Sequence, residues 1–322
     1  MQTTEDLSQV MRAAVQTATW APSVHNSQPW SFAIARQEIS LRADIDRKLK
    51  LSDPDGRQML IGCGAALFNI RTSLRAMGYE SLVKVLPDPD RPSLLAIIRP
   101  GSAVAADEET LRLSAEIERR RTHWAGFVDL PVPDRMVGKL VALAAAEGAT
   151  LTPVDSGDAE QVISALTAVA QSVQSASLEL IGWAQRPGSG RKDGVPADGY
   201  PTEAGRTDPQ FAQRDYAHGR PWGNLADQSE STSTGIVAVL TTRADSREAW
   251  IAAGQALQGV LLHASAHGVS AAFRNQAPEM HHLREFLRQE LCSGAYPQMI
   301  IRVGFTFDET TGVRRSLGDV LE

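Results

Sequence analysis

Cysteine is scarce in this chain of 322 residues: Cys63 and Cys292 are the two present, far apart and without metal-ligand spacing. That pattern excludes a disulfide framework and a cysteine-rich metal site, and leaves two reduced structural thiols. No apolar run reaches membrane-spanning length, so no membrane partner is expected. A basic stripe is missing, net charge is −6 and the pI lies near 5.7, so nucleic acid is not an expected partner. An anionic cofactor remains compatible, because a local arginine cluster sets its own potential. The opening residues Met1-Gln2-Thr3-Thr4-Glu5-Asp6 are polar and acidic, unlike a signal peptide, and the expected location is cytoplasmic. No catalytic triad or carboxylate pair stands out. What remains is 43% hydrophobic and 22% charged residues, a soluble globular mix with enough chain for one large core or two.

One stretch stands apart, Ala21-Pro22-Ser23-Val24-His25-Asn26-Ser27-Gln28-Pro29-Trp30. A helical pattern ends before Pro22, which disfavours helical backbone at Ala21, and an alternating strand pattern begins at Trp30. The loop between them offers backbone N–H groups, a hydroxyl, an imidazole and two amides. It reads equally as an ordinary helix-to-strand connection, since Ser, Asn and Pro are common in loops.

Periodicity gives the rest of the layout. Helices are expected over 7–19, 57–77, 108–121, 134–148, 159–185, 247–267 and 278–292, with Gly78 and Gly268 as C-terminal caps. Strands are expected over 32–35, 39–42, 82–86, 94–99, 236–241, 269–273 and 298–304. Residues 187–231 are rich in Gly, Pro, Asp and Arg with little periodicity. A segment this long and irregular inside a domain is usually a binding loop, a lid or disorder. Its anchors Val195, Tyr200, Phe211, Tyr216 and Trp222 suggest a segment that packs on something.

Shifting residues 57–78 by 190 aligns them with 247–268 and matches seven of 22 positions, Gly64 with Gly254 and Ile61 with Ile251 among them. Ile97-Ile98-Arg99-Pro100-Gly101 echoes Ile300-Ile301-Arg302-Val303-Gly304. The helix-then-strand order thus recurs, which points to a duplicated α+β architecture with a site between its halves, at 1–105 and 106–322.

Several motifs carry a resemblance. Ala21-Pro22-Ser23-x-x-Asn26-x-Gln28-Pro29-Trp30 resembles the signature loop of flavin-dependent nitroreductases. Arg120-Arg121-Thr122 with Phe127 is similar to their phosphate-binding motif, and Trp250…Gly254-Gln255-Ala256-Leu257-Gln258…Gly268 to their central dimer helix. Tyr296-Pro297-Gln298…Arg302-Val303-Gly304 and Arg314-Arg315-Ser316-Leu317 resemble their last strand and tail. The motifs are split: the first half has the loop without the arginines, and the second has the arginines but reads Leu143-Ala144-Ala145-Ala146-Glu147-Gly148 where a second loop would stand. This arrangement resembles the Acg-type nitroreductase-like proteins of actinobacteria, described as a fused dimer with a lid over the flavin. The resemblance implies a nitroreductase fold in which one chain mimics the family's homodimer and holds one FMN. It is compatible with a monomer or a further homodimer.

By that resemblance Arg120, Thr122, Arg314 and Arg315 would hold the FMN phosphate, although the run 119–121 also reads as a solvated helix end. Pro22, Ser23, Val24 and Asn26 would wall the isoalloxazine. Gln28 is either a ligand of the ring edge or a brace of the loop, and His25 either a proton donor or a hydrogen-bonded loop residue. A backbone N–H from Ala271, Ala272 or Phe273 would face the flavin N5. Trp124 stands where the family often has Lys or Arg against the ring; it can stack but cannot stabilise an anionic reduced flavin. No catalytic side chain is required, because hydride transfer is the cofactor's chemistry. The implied activity is NAD(P)H-dependent ping-pong reduction of a nitroaromatic, a quinone or a related small aromatic acceptor. The alternative is a flavin-sequestering protein whose lid, at about 187–231, occludes the cofactor.

Overall fold

The computed structural model describes residues 4–175, 177–185, 189–197, 200–201, 207–218, 222–223, 232–307 and 312–322. Helix α1 (Thr4–Ala18) buries Met11, Ala14, Val15 and Ala18, a stripe at helical spacing. Strands β1 (Trp30–Ala35) and β2 (Glu38–Ala43) form a hairpin. Helix α2 (Arg57–Ala76) follows, then β3 (Tyr79–Val85) and β4 (Leu94–Ala103). The four strands are antiparallel in the order β1-β2-β4-β3. In β2, Ile39, Leu41 and Ala43 are buried while the residues between them are half-buried, so one face of this sheet carries the core.

After α3 (Glu108–Glu116) the plan repeats. Helix α4 (Asp134–Ala146) precedes β5 (Thr150–Pro153). Helices α5 (Gly157–Gln174) and α6 (Leu178–Gly182) stand before β6 (Ile236–Thr242) and the long helix α7 (Arg247–Ser265). Strand β7 (Val269–Phe273), α8 (Gln276–Glu279), α9 (His281–Glu290), β8 (Tyr296–Phe305) and α10 (Leu317–Val320) complete the chain. The second sheet runs β5-β6-β8-β7, again antiparallel, with the same order of strands about its central helix. Ala238, Leu240, Ile301 and Val303 face α4 and α7, whereas Val237, Val239 and Ile300 join Ile163, Ala170 and Leu287 on the other face. Burial on both faces explains why β8 reads as a continuous apolar run.

The halves meet where α2 crosses α7. A Cβ on Gly64 would lie 2.2 Å from the Ile251 carbonyl oxygen, and one on Gly254 would lie 2.0 Å from that of Ile61. The C-terminus then returns to the first half, where Glu322 N donates to Phe32 O at 2.8 Å beside β1. Among the described residues no helix is long and apolar enough to cross a membrane.

Three expectations need correction, and one strand is additional to them. The helix expected over 108–121 stops at Glu116, because Thr122 pairs beside Ala271 and His123 N donates to Ala271 O (2.8 Å), which demands extended backbone. The helix expected over 159–185 is two, α5 and α6, broken where Ser175 Oγ turns back to Ser172 O (2.9 Å). That expected over 278–292 is interrupted at Met280, which is extended (φ −96°, ψ 118°). Strand β5 was not foreseen: Leu151 alone is buried in it, and Pro153 ends it at a sheet edge. Within the expected segment at 187–231, residues 187–188, 198–199, 202–206, 219–221 and 224–231 lie outside the described residues.

Candidate functional site

Eleven residues, 19–29, connect α1 to β1, whereas Glu147-Gly148-Ala149 suffices between α4 and β5. The longer connection is held in an uncommon backbone. His25, Asn26 and Gln28 have φ of 54°, 54° and 50°, a left-handed region that Asn and His enter more often than Gln. Surrounding bonds hold them there. Ser23 Oγ accepts from Gln28 N (2.9 Å) and Arg47 Nε donates to Ser27 O (2.8 Å). Gln28 Oε1 accepts from Arg315 N (2.8 Å) while its Nε2 donates to Lys192 O (2.7 Å). Asn26 Nδ2 donates to both Gly194 O and Val313 O at 3.1 Å. Two amides thus pin the loop to the tail and to residues 192–194.

Behind this loop lies a cavity of about 1070 Å³ of empty space, solvent at the mouth included. Of the residues expected from sequence, Pro22, Ser23, Val24, Asn26, Thr122, Trp124, Phe273 and Arg314 line it. Gln28 and Arg315 do not; they brace the loop, and Arg315 also approaches Asp44 at 3.6 Å. Ala271 and Ala272 are buried in β7, Ala271 accepting from His123 N at 2.8 Å. Arg120 sits outside the cavity lining, next to Arg121, which is part of it. Sequence reasoning named Arg121 without choosing it. It placed Tyr216 and its neighbour Arg214 only in the irregular segment expected to cover the flavin, and missed Arg274 and Glu279; all four line the cavity. Arg274 could have been found as the neighbour of Phe273; the irregular segment gave no periodicity from which to place Arg214 and Tyr216.

Three guanidinium groups converge on Trp20: those of Arg121 and Arg314, in the cavity wall, and that of Arg120, behind it. Arg120 Nη2 and Arg314 Nη2 donate to Trp20 O at 3.1 and 3.4 Å. Arg121 and Arg314 lie over the indole, their Cζ atoms 4.7 and 5.2 Å from its centroid. Arg121 Nη1 donates to the carbonyls of Glu118 (2.6 Å) and Arg120 (2.9 Å). Buried Nε and Nη1 of Arg120 and Nε of Arg314 have no hydrogen-bond partner among the described residues. Burial, then the Arg121 charge, pushes Arg120 down to about 10; burial, then Arg120 and Arg121, pushes Arg314 down to about 9. Guanidinium groups stay protonated in proteins, so this electrostatic stress is what a bound anion would relieve.

Another part of the cavity wall is aromatic. His25 Nδ1 and Tyr216 Oη are hydrogen-bonded at 2.8 Å, and Tyr216 packs on Tyr200 and Trp222, with Trp124 on Tyr200 at 5.0 Å. Burial, then the Arg214 charge, holds His25 well below the ordinary imidazole value, so it is neutral near pH 7. Arg214 bonds Glu279 at 2.5 Å and Gln174 at 3.1 Å. Arg274 donates to Trp124 O (3.0 Å) and Phe273 O (2.8 Å). Residues Gly194, Val195 and Pro196 close the wall above the loop, with Asp193 paired to Arg47 and, at 3.0 Å, to Arg191.

No family model matches the chain. The "Putative NAD(P)H nitroreductase Rv3131" of Mycobacterium tuberculosis is 32% identical over 304 residues, covering 92% of this chain and 86% of the relative. The "Putative NAD(P)H nitroreductase acg" of the same organism is 29% identical over 307 residues, covering 92% and 88%. A solved structure, that of a "putative nitroreductase" from Anabaena variabilis, superposes with a TM-score of 0.53 at 11% identity, over 95% of this chain and 89% of that one. It shares the fold along nearly the whole length, which agrees with a duplicated nitroreductase fold. By its likeness to Rv3131, the chain belongs to the same NAD(P)H nitroreductase family.

Proposed function

We propose that the cavity holds one FMN per chain and that the protein is an NAD(P)H-dependent oxidoreductase for a small aromatic acceptor. The carrying observation is the trio Arg120, Arg121 and Arg314: Arg121 and Arg314 line the cavity and Arg120 stands behind them, with no carboxylate within 4 Å of any of the three among the described residues. A phosphate fits that need chemically, since each oxygen accepts charge-assisted hydrogen bonds. Gly312 keeps the cradle open: a Cβ there would stand 3.2 Å from Arg121 Cδ and 3.4 Å from Arg314 Nη1. Thr122 adds a hydroxyl. Pro22, Ser23 and Val24 offer a flat wall to the isoalloxazine, with Asn26 beside it and Trp124 facing in. The left-handed backbone at His25, Asn26 and Gln28 fixes that wall before anything binds. The segment that includes 194–196 and 214–216 would act as a lid that keeps water from the ring.

When bound, FMN supplies the hydride chemistry, and no side chain here needs to act as acid or base. Donor and acceptor would use the same space in turn, a ping-pong order. The name carried by the relative Rv3131 supports the nicotinamide donor. Absence of a second loop beside Glu147-Gly148-Ala149 supports a single site. The test is an anaerobic spectrum of purified protein reconstituted with FMN, before and after NADPH. Bleaching of the visible flavin absorption by NADPH supports the reading. A yellow protein bleached by dithionite alone would overturn the reductase and leave a flavin-holding protein. A colourless protein that cannot be reconstituted would overturn the cofactor assignment.

A further inference from the structure

We infer that Trp20 is a positioning residue that makes the site select a phosphorylated flavin over the same flavin without its phosphate; this rests on the FMN reading above. Three like charges brought together repel one another, so other groups of the chain must help to hold Arg120, Arg121 and Arg314 converged. A carboxylate would do so, but it would neutralise the cluster and compete with the phosphate. Trp20 does it without net charge. Its indole face, negative by its quadrupole, attracts Arg121 and Arg314 at 4.7 and 5.2 Å. Its carbonyl, two residues past the end of α1, takes one bond from Arg120 and one from Arg314. Carbonyls at a helix C-terminus carry partial negative charge, which favours cations there.

The arrangement leaves N–H groups to spare, since Nε of Arg120 and of Arg314 remain without a partner. It also joins the two halves. Trp20 leaves α1 of the first half, and all three arginines belong to the second, so the anion cradle exists only when the halves are docked. A core role for Trp20 is the competing account, because the ring also packs with Phe68 against Leu113, Ile117 and Leu262. The two accounts differ in what they predict for phosphate.

The test uses the full chain stripped of flavin, and measures affinity for FMN and for riboflavin by fluorescence quenching. Wild type is expected to favour FMN. In Trp20→Leu, which keeps an apolar side chain but has no π face, FMN affinity falls about tenfold while riboflavin affinity changes less than about twofold. Trp20→Phe, with a weaker face, falls only about two- to threefold for FMN, and it carries the test if the leucine variant does not fold. An equal loss for both flavins, or no loss for FMN, would overturn the inference and make Trp20 a packing residue. A wild-type chain that binds neither flavin would overturn the FMN reading itself, and this inference with it.

Discussion

Gly64 and Gly254 touch across the crossing of α2 and α7, each pressed against the backbone of the other helix. The Gly254 Cβ position lies 2.9 Å from Gly64 Cα, and each glycine faces a carbonyl oxygen, of Ile251 or Ile61. The two contacts are related by the same shift of 190 residues that aligns the helices in sequence. Backbone cannot retreat as a flexible side chain can. Gly64→Ala and Gly254→Ala should therefore each destabilise the protein by roughly 3 kcal/mol, the upper range of overpacking costs. Gly138→Ala, inside α4 with nothing within 4 Å of its Cβ position, should instead stabilise by about 0.5–1 kcal/mol. Urea unfolding of the three variants checks both signs.

That crossing was legible because its cause is local: a helix that packs backbone against backbone must show glycine, and both helices show it at matching positions. The strands with clear alternation or apolar runs were legible for the same reason. What escaped was set by contacts distant in sequence. Helix α3 stops at Glu116 because Thr122 has a partner at Ala271, and nothing within 108–121 announces that. Adjacent arginines split their roles in a way a motif does not state: Arg121 lines the cavity and Arg120 stands behind it, Arg314 lines it and Arg315 braces the loop. Arg214 and Glu279 find each other across 65 residues, one from an irregular segment and one from a four-residue helix.

Gln28 joins three segments through one amide, accepting from Arg315 N and donating to Lys192 O. Gln28→Ala leaves both partners without that bond and also frees a left-handed residue. The variant should lose about 1–3 kcal/mol of stability. More specifically, residues 191–193 should detach more often, so trypsin should cut after Arg191 and Lys192 faster than in the parent. An unchanged cleavage rate would mean that the pair of Arg47 and Arg191 on Asp193 holds this segment unaided.

His25 gives a pH dependence with a defined sign. Burial and then the nearby Arg214 charge keep the folded imidazole neutral well below its ordinary value. An unfolded chain takes up that proton near pH 6.5, so acidification favours unfolding, at most by about 1.4 kcal/mol per pH unit for one group. The contribution is present above about pH 6.5 and is lost as pH falls towards the folded value. His263, also lowered by burial and by His267, adds a slope of the same sign. Melting temperatures of wild type and His25→Gln from pH 7.5 down to 5.5 separate the two: the variant should show the shallower decline. Parallel curves would mean that His25 takes up its proton equally in the folded and unfolded chain.

Arg314 and Arg315 are neighbours in sequence with opposite surroundings, so they should fail in different ways. Arg314 turns inward, over Trp20 and beside Arg121, with an unpartnered Nε. Arg315 turns away, to the carbonyls of Gln28, Trp30 and Asp319 and towards Asp44. Loss of one charge-assisted contact with a phosphate costs about 1.5–3 kcal/mol, so Arg314→Met should weaken FMN binding by more than about tenfold and leave riboflavin binding alone. Removing Arg314 also relieves repulsion on Arg120 and Arg121, so the flavin-free protein should be as stable as the parent or more so. Arg315→Met should do the reverse: a lower melting temperature from a loosened loop and tail, with any loss of affinity shared by FMN and riboflavin. Equilibrium titration with both flavins, alongside thermal unfolding of both variants, distinguishes these patterns. Reversed patterns would place the phosphate on the loop side of the tail.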